Sequence, residues 1–261
     1  MRLSAKLLLS GLLSILAVSG VRAHFLMLLP AAESGQRDQP ATVVFQWGHP
    51  FEHQLFDAPK PESAALFDPE GKRTDVMKSL EKIGVAGEGG KDVTAWKLTL
   101  QPERRGDYTL VVTAPPMWMG EEQFFFQDTV KVVFHVQTQK RWDKPTGAAF
   151  ELVPLTRPYG LQPNMVFQAQ TLFEGKPLPG ALVEVEPYHT VPPKMLPADE
   201  HMTRQVKTDP NGVLTCNLTE PGWWCIAAER DGGKREHDGK MYPVRQRAIF
   251  WVHVDEAKLT K

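Results

Sequence analysis

Apolar residues in this chain recur mostly at alternate positions, in short runs separated by turn residues. In residues 129–137, one face of the run consists of four apolar side chains: Val130, Val132, Phe134 and Val136. A period of two predicts a strand with one buried face. The chain also contains 22 prolines, spread along its length. Frequent turn residues between short alternating runs favour strands over long helices.

Comparable runs predict two groups of strands. The first group comprises residues 25–29, 41–47, 66–67, 94–100, 109–113, 124–126 and 129–137, and the second comprises residues 149–155, 165–173, 182–186, 206–209 and 249–254. Residues 76–83 fit either a strand or a helix, residues 84–90 and 115–122 are predicted as flexible or irregular, and the proline-rich residues 187–203 as an exposed loop. The pattern predicts an all-β fold with two immunoglobulin-like sandwich domains, at residues 24–140 and 148–255.

Residues 1–23 have the features of a cleaved signal peptide. Arg2 and Lys6 precede an uncharged apolar run over residues 7–20, and Val21 and Ala23 are the small residues before the expected cut. The run is shorter than the roughly 20 residues that span a membrane. We therefore expect an exported chain, periplasmic or secreted, with no membrane span after cleavage.

The charge balance gives no sign of a nucleic-acid partner. The whole chain has a formal net charge of −1, and residues 1–23 contain three basic residues and no acidic ones. Cleavage after Ala23 therefore changes the net charge from −1 to −4. This balance does not point to nucleic acid or an anionic membrane as a partner.

Cys216 and Cys225 are the two cysteines of the chain. If residues 219–222 form a hairpin loop, the strand register places the two cysteines opposite each other. A pair at that separation in an oxidising compartment predicts a cross-strand disulfide.

The mature N-terminus is the strongest candidate for chemistry. Cleavage after Ala23 makes His24 the first residue, so that its α-amine and imidazole Nδ1 together close a chelate ring on a metal ion. His49 and His53 follow in the stretch His-Pro-Phe-Glu-His. Imidazole is the commonest metal ligand in proteins. We predict a transition-metal site formed by His24, His49 and His53.

The ligand chemistry limits the choice of metal. An amine with imidazoles is a nitrogen-rich set that suits Ni²⁺ or Cu²⁺, and intrinsic affinity favours Cu²⁺. Glu52 and Asp57 are either further ligands, partners of the rings or solvated loop charges, and His135 either faces the site or lies at the surface. Because binding needs neutral nitrogens, it should weaken below about pH 6.

Motifs for covalent catalysis are missing from the sequence. It contains no Gly-x-Ser-x-Gly elbow, no glycine-rich phosphate loop and no Cys-x-x-Cys pair. The sequence therefore predicts a binding protein and not an enzyme.

Several sequence segments resemble the NikM-like family of periplasmic nickel-uptake components. They are the signal ending Ala-His-Phe, His49-Pro-Phe-Glu52, Leu152-Val-Pro-Leu-Thr-Arg-Pro-Tyr-Gly160, Gly175-Lys-Pro-Leu-Pro-Gly-Ala-Leu-Val-Glu-Val-Glu186, Lys207-Thr-Asp-Pro-Asn-Gly212 and Pro221-Gly-Trp-Trp224. The segments from Gly175 to Trp224 also resemble transthyretin-like sandwiches, which implies that fold for the second domain. The resemblance implies Ni²⁺ or Co²⁺ binding near the N-terminus and assistance to a membrane uptake transporter.

Two other functions fit the same residues. One is a copper oxidase with an N-terminal histidine brace, which also uses a mature N-terminal histidine and a second histidine. The other is a non-catalytic extracytoplasmic module in which the sandwiches serve only as interaction surfaces.

Overall fold

A computed structural model describes residues 24–256, so the predicted signal peptide at residues 1–23 lies outside the described part of the chain. Strands account for 56% of the structure and helices for 4%, which confirms the all-β prediction. In residues 24–256, no helix is long and apolar enough to cross a membrane.

The described chain forms nineteen strands and three short helical segments. The strands are Phe25–Pro30 (β1), Ser34–Gly35 (β2), Ala41–His49 (β3), Gln54–Phe56 (β4), Ser63–Phe67 (β5), Arg73–Asp75 (β6), Glu81–Ala86 (β7), Asp92–Leu100 (β8), Gly106–Thr113 (β9), Met117–Met119 (β10), Phe124–Val136 (β11), Phe150–Pro154 (β12), Met165–Phe173 (β13), Lys176–Pro177 (β14), Leu182–Pro187 (β15), Arg204–Lys207 (β16), Val213–Leu218 (β17), Gly222–His237 (β18) and Lys240–Val254 (β19). The helical segments are the 3₁₀ turns Met77–Ser79 and Glu88–Gly90 and the α-helix Asp199–Met202 (α1).

These strands form three sheets. The first has the order β1-β3-β8-β7, with β4 beside β3. The large second sheet has the order β16-β15-β18-β19-β11-β9-β5-β6, with β2 and β10 beside β11. The third contains β12, β13, β14 and β17.

The large sheet contains strands from both predicted domains, because β11 and β19 pair in parallel. Asp128 on β11 is the register partner of Arg247 on β19, and the two side chains form a fully buried bidentate ion pair at 2.9 and 2.6 Å. The domain limits 24–140 and 148–255 remain a prediction, since one sheet continues across them.

Two hydrophobic cores lie on opposite faces of this large sheet. The first, between the large sheet and β1-β3-β8, contains the predicted apolar face of β11 from Val130 to Val136. The second lies against β12, β13 and β17 and contains Val133, from the other face of β11. Lys131 also faces this side, where it is buried and paired with Glu151 at 3.1 Å. Both faces of β11 are therefore covered by protein.

Some segments differ from their predicted structure. Residues 84–90 were expected to be flexible, but β7 continues through Gly84, which pairs with Thr94. Residues 115–122 were expected to be irregular, yet β10 pairs there with the start of β11. The long β18–β19 hairpin was missed, because residues 231–236 are exposed, consist of glycines and charged residues, and show no apolar alternation.

The predicted disulfide between Cys216 and Cys225 is wrong, since both cysteines are free and buried. β17 pairs with β13 in the third sheet, whereas β18 lies in the large sheet, so the two strands do not form the expected hairpin. Cys216 packs in the second core and Cys225 in the first. The two thiols thus lie on opposite sides of the large sheet.

Candidate metal centre

The structure brings His24 and His49 together. Their ring centroids are 4.2 Å apart in an edge-on arrangement with an interplanar angle of 65°. His49 is buried and His24 is half-buried, at the rim of the first core. We call these two residues the N-terminal histidine pair. A centroid separation of 4.2 Å is compatible with one nitrogen of each ring contacting the same ion.

Strand pairing explains why these residues meet. β1 and β3 are antiparallel with Phe25 opposite Gly48, so the residues that flank this pair, His24 and His49, lie at the same end of the sheet. Gly48 is required there, because a Cβ atom at this position would overlap the carbonyl oxygen of Gln54. The close β3–β4 turn that glycine permits places Gln54 directly opposite His49.

Gln54 orients the His49 ring. The distance between His49 Nδ1 and Gln54 Oε1 is 2.8 Å. An amide oxygen accepts hydrogen bonds, so Nδ1 carries the proton and Nε2 carries the lone pair in the neutral ring. Metal-binding histidines commonly donate their second ring N–H to an oxygen in this way. The tautomer held by Gln54 is therefore one that can bind a metal through Nε2.

Aromatic side chains surround the pair. His24 stacks on Trp47 with a centroid distance of 5.3 Å, and Phe56 lies 5.5 Å from His24 and 5.3 Å from His49. A shallow cleft beside them is lined by His24, Trp47, Leu55, Phe56, Asp57, Lys91 and Val93. Apolar walls lower the local dielectric and strengthen electrostatic interactions at the site.

A buried carboxyl group holds the loop that follows His49. Glu186 on β15 accepts a hydrogen bond from the Phe51 backbone N–H at 3.0 Å and another from the Thr203 hydroxyl at 2.5 Å. Burial raises the pKa of Glu186 to about 8, although both hydrogen bonds act in the opposite direction. The Glu186 carboxyl is therefore largely neutral at pH 7 and connects the loop to the other half of the large sheet.

His53 is not placed beside the histidine pair in this structure. Its ring packs near Tyr188 with a centroid distance of 5.7 Å, and it lines a separate cleft together with Glu52. The backbone explains this orientation, since His53 adopts a left-handed conformation with φ of 53° in the β3–β4 turn. Its part in metal binding remains a prediction.

Asp57 lines the same cleft as His24, but its carboxylate already accepts the Thr94 backbone N–H at 2.8 Å. That hydrogen bond lowers the pKa of Asp57, with a smaller contribution from Lys91. Asp57 therefore contributes a negative charge to the cleft, and Lys91 contributes a positive charge to the same cleft.

His135 lies apart from the histidine pair. Its Nδ1 is 2.7 Å from Asp107 Oδ1, and its ring stacks on Tyr159 at 4.1 Å. It pairs through its backbone register with Ser34 of β2, beyond the far end of β1 from His24. These contacts explain His135 as a structural residue of the sheet.

Gln54, Trp47, Phe56 and Glu186 were not identified as site residues from the sequence. Gln54 follows His49 by five positions, and the register of a tight β3–β4 hairpin would have indicated it. Glu186 lies 135 residues from its partner Phe51, so no local spacing indicates that contact.

Comparison with known proteins identifies the family. Residues 21–232 match the family described as Domain of unknown function (DUF4198), and the chain belongs to that family. No curated protein matches it. The family match carries no information on nickel uptake, so the NikM-like resemblance stays a prediction.

Three solved structures resemble the chain distantly. A DUF4785 family protein from Legionella pneumophila is 12% identical, with a TM-score of 0.30, over 79% of this chain and 51% of that protein. Salmonella alpha-2-macroglobulin is 14% identical, with a TM-score of 0.26, over 88% of this chain and 15% of that one. The Yersinia pseudotuberculosis adhesin InvE is 15% identical, with a TM-score of 0.20, over 86% of this chain and 58% of the adhesin chain. The chain spans about half the length of the Legionella protein, and these scores support no functional comparison.

Proposed function

We propose that this protein is an exported, periplasmic or secreted, binding protein for nickel or cobalt ions that assists a membrane uptake transporter. The observation that carries the proposal is the 4.2 Å separation of the His24 and His49 rings. The ion is the cargo of the protein. The transporter rests on the sequence resemblance alone.

Three nitrogen atoms support binding at this place. Cleavage before His24 supplies the α-amine and the His24 imidazole, and His49 supplies a second imidazole in the tautomer held by Gln54. Amine and imidazole nitrogens suit Ni²⁺, and Co²⁺ is added by the sequence resemblance. A site with three protein nitrogens leaves coordination positions open, which suits an ion that must be released to a transporter.

Calorimetric titration of the exported protein with Ni²⁺, Co²⁺ and Cu²⁺ tests the proposal. The matched protein carries one extra residue before His24, which removes the free amine from the histidine and leaves both imidazoles. We expect affinity to fall by at least about 100-fold in the extended protein, because losing a direct ligand should exceed the loss from an outer-shell partner. The His49→Ala substitution should lower the metal affinity by a comparable factor. His201→Ala, at an exposed position of α1, serves as the control.

Each result has a distinct meaning. Equal affinity in the extended protein contradicts chelation by the amine, and unchanged affinity in His49→Ala contradicts the pair. No binding of any of the three ions by the exported protein overturns the proposed function. The sandwiches would then act as an interaction module without a metal.

A copper protein with a histidine brace, including an oxidase, is the second candidate, and the same ring geometry favours it. One amine and two imidazoles form a ligand set for which Cu²⁺ has the highest intrinsic affinity among divalent first-row metals. Oxygen consumption by the copper-loaded protein in the presence of a reductant would favour this candidate. Retention of copper without oxygen consumption would favour binding alone.

A further inference from the structure

We propose that Glu33, His253 and Asp255, which we call the junction cluster, form a second divalent-metal site, independent of the N-terminal histidine pair. Each residue offers one ligand atom, and these atoms all lie within 4.8 Å of one another. The His253 Nδ1 atom is 3.3 Å from Asp255 Oδ1. Three convergent ligand atoms from one imidazole and two carboxylates are the protein contribution of an open metal site.

The topology of the large sheet creates this cluster. β19 pairs in parallel with β11 up to the pair Val132 and Trp251. Beyond that point β2 takes the position beside β11, where Ser34 pairs with His135. Glu33 immediately precedes β2, and His253 lies at the end of β19. The cluster therefore forms where one strand leaves β11 and another replaces it.

The cluster lies far from the N-terminal histidine pair. His24 precedes the first residue of β1, whereas Glu33 follows the last residue of that strand. A strand of this length separates its ends by roughly 15–20 Å, given about 3.3 Å per residue. One ion cannot contact both groups.

Neighbouring groups hold the ligands in place. The Ser34 hydroxyl donates to Glu33 Oε1 at 3.3 Å, and the Asp255 backbone N–H donates to the Leu161 carbonyl at 2.8 Å. Trp223 packs edge-on against the His253 ring at 5.0 Å. Such outer contacts orient metal ligands and limit their motion.

The local charge also favours a cation. Among the ion pairs of residues 24–256, Asp255 is paired with His253, and neither lysine nor arginine neutralises Glu33 or Asp255. The side chains of His253 and Asp255 are 23% and 34% exposed, so an ion can enter from solvent. One nitrogen and two carboxylate oxygens suit Zn²⁺, which binds histidine and acidic side chains with three protein ligands in open sites.

Binding would join distant parts of the chain. Glu33 belongs to the connection after β1, His253 belongs to β19, and Asp255 directly follows the end of that strand at Val254. An ion that binds the folded state and not the unfolded state stabilises the fold according to its concentration and affinity. Zinc bound here should therefore raise the thermal midpoint of unfolding.

The test uses the full exported protein with His24→Ala and His49→Ala, so that the N-terminal histidine pair cannot contribute. Calorimetric titration with Zn²⁺ should show about one equivalent bound, and zinc should raise the thermal midpoint. Adding Glu33→Gln or Asp255→Asn should each weaken zinc binding at least about 10-fold. Adding His237→Ala instead, at a partly exposed histidine paired with Asp238 on the β18–β19 hairpin, should leave binding unchanged.

Thermal unfolding in a chelator checks that each variant is folded, and both substitutions replace partly exposed carboxylates by amides of the same shape. The proposal is overturned if the His24→Ala/His49→Ala protein binds no zinc. It is equally overturned if Glu33→Gln and Asp255→Asn bind zinc as tightly as their parent. If the unmodified protein binds Ni²⁺, Co²⁺ and Cu²⁺ no more tightly than the His24→Ala/His49→Ala protein, while both bind zinc, the proposed function fails and the junction cluster stands.

Discussion

A buried carboxyl group lies near the N-terminal histidine pair, and another holds the strand pairing that leads to the junction cluster. The first has no cationic partner among the described residues, whereas the second forms an ion pair. Glu186, near the histidine pair, has no cationic partner among its contacts in residues 24–256, and burial raises its pKa to about 8. Asp128, which holds the β11–β19 pairing that leads to the junction cluster, forms a bidentate pair with Arg247. Burial would lower the pKa of Arg247, but the attraction of Asp128 outweighs it and keeps the guanidinium charged.

This difference predicts which region depends on pH. A buried neutral acid holds its proton in the folded state, and holding it becomes less favourable as the pH rises. A guanidinium stays charged through the neutral range. The region near the histidine pair should therefore be sensitive to pH, and the β11–β19 pairing should be sensitive to loss of either charge.

The largest expected effect concerns Glu186. Its ordinary pKa is 4.5 and its folded pKa is about 8, so folding favours the protonated form. Its contribution to stability is fully present below about pH 4.5, declines as the pH rises, and reaches its minimum above about pH 8. The loss is at most about 5 kcal/mol, from about 1.4 kcal/mol per pKa unit.

Glu186→Gln should remove this pH dependence, because the amide stays neutral and can still accept the Phe51 N–H. Urea unfolding at several pH values measures the pH dependence of stability, with Glu200→Gln, at an exposed position of α1, as the control. If the wild-type protein and Glu186→Gln keep the same pH profile between pH 4.5 and 8, the carboxyl is not a buried neutral acid.

The next effect concerns Asp128. Asp128→Asn leaves the Arg247 guanidinium buried beside Phe126, 3.4 Å from the ring centroid, without its counter-ion. Breaking a buried pair by removing one partner costs about 3–5 kcal/mol, whereas replacing both partners by apolar residues is often neutral. Urea unfolding at pH 7 should therefore show a large loss for Asp128→Asn and a small change for Asp128→Leu/Arg247→Met. A loss below about 1 kcal/mol in the single variant would contradict this account.

Gln54 has a smaller expected effect, confined to the N-terminal histidine pair. Gln54→Ala removes the acceptor that fixes the His49 tautomer, so nickel or copper affinity should fall about 10- to 100-fold. Calorimetric titration measures it, with exposed Gln101→Ala as the control. Zinc affinity at the junction cluster should not change. Equal nickel affinity in Gln54→Ala and the wild-type protein would show that Gln54 does not orient the ring.

The two regions also differ in how far the sequence predicts them. His24 and His49 lie at the ends of two strands whose apolar runs are evident, and antiparallel neighbours bring such ends together. Glu33 and His253 are separated by more than two hundred positions, and they meet only because β11 and β19 pair in parallel. Alternation identifies a strand and its buried face, but it does not identify the partner strand.

β11 shows the same limit. Its alternation predicted one apolar face, from Val130 to Val136, and that face was confirmed. The second face is also covered, because Lys131 pairs with Glu151 and Val133 enters the second core. A lysine in a strand usually indicates solvent, so the second core could not be predicted from this pattern.

The smallest expected effect tests the corrected disulfide and separates the two cores directly. Cys216 and Cys225 are buried in different cores, and burial raises the pKa of Cys216 to about 12. Both thiols should therefore be unreactive toward a thiol reagent in the native protein and titrate as two equivalents in denaturant. A reductant should not shift the thermal midpoint, because there is no disulfide to break. If the denatured, unreduced protein yields no reactive thiols and a reductant lowers the thermal midpoint, the two cysteines are bonded. β17 would then have to pack beside β18, which is incompatible with cysteines that lie in two different cores.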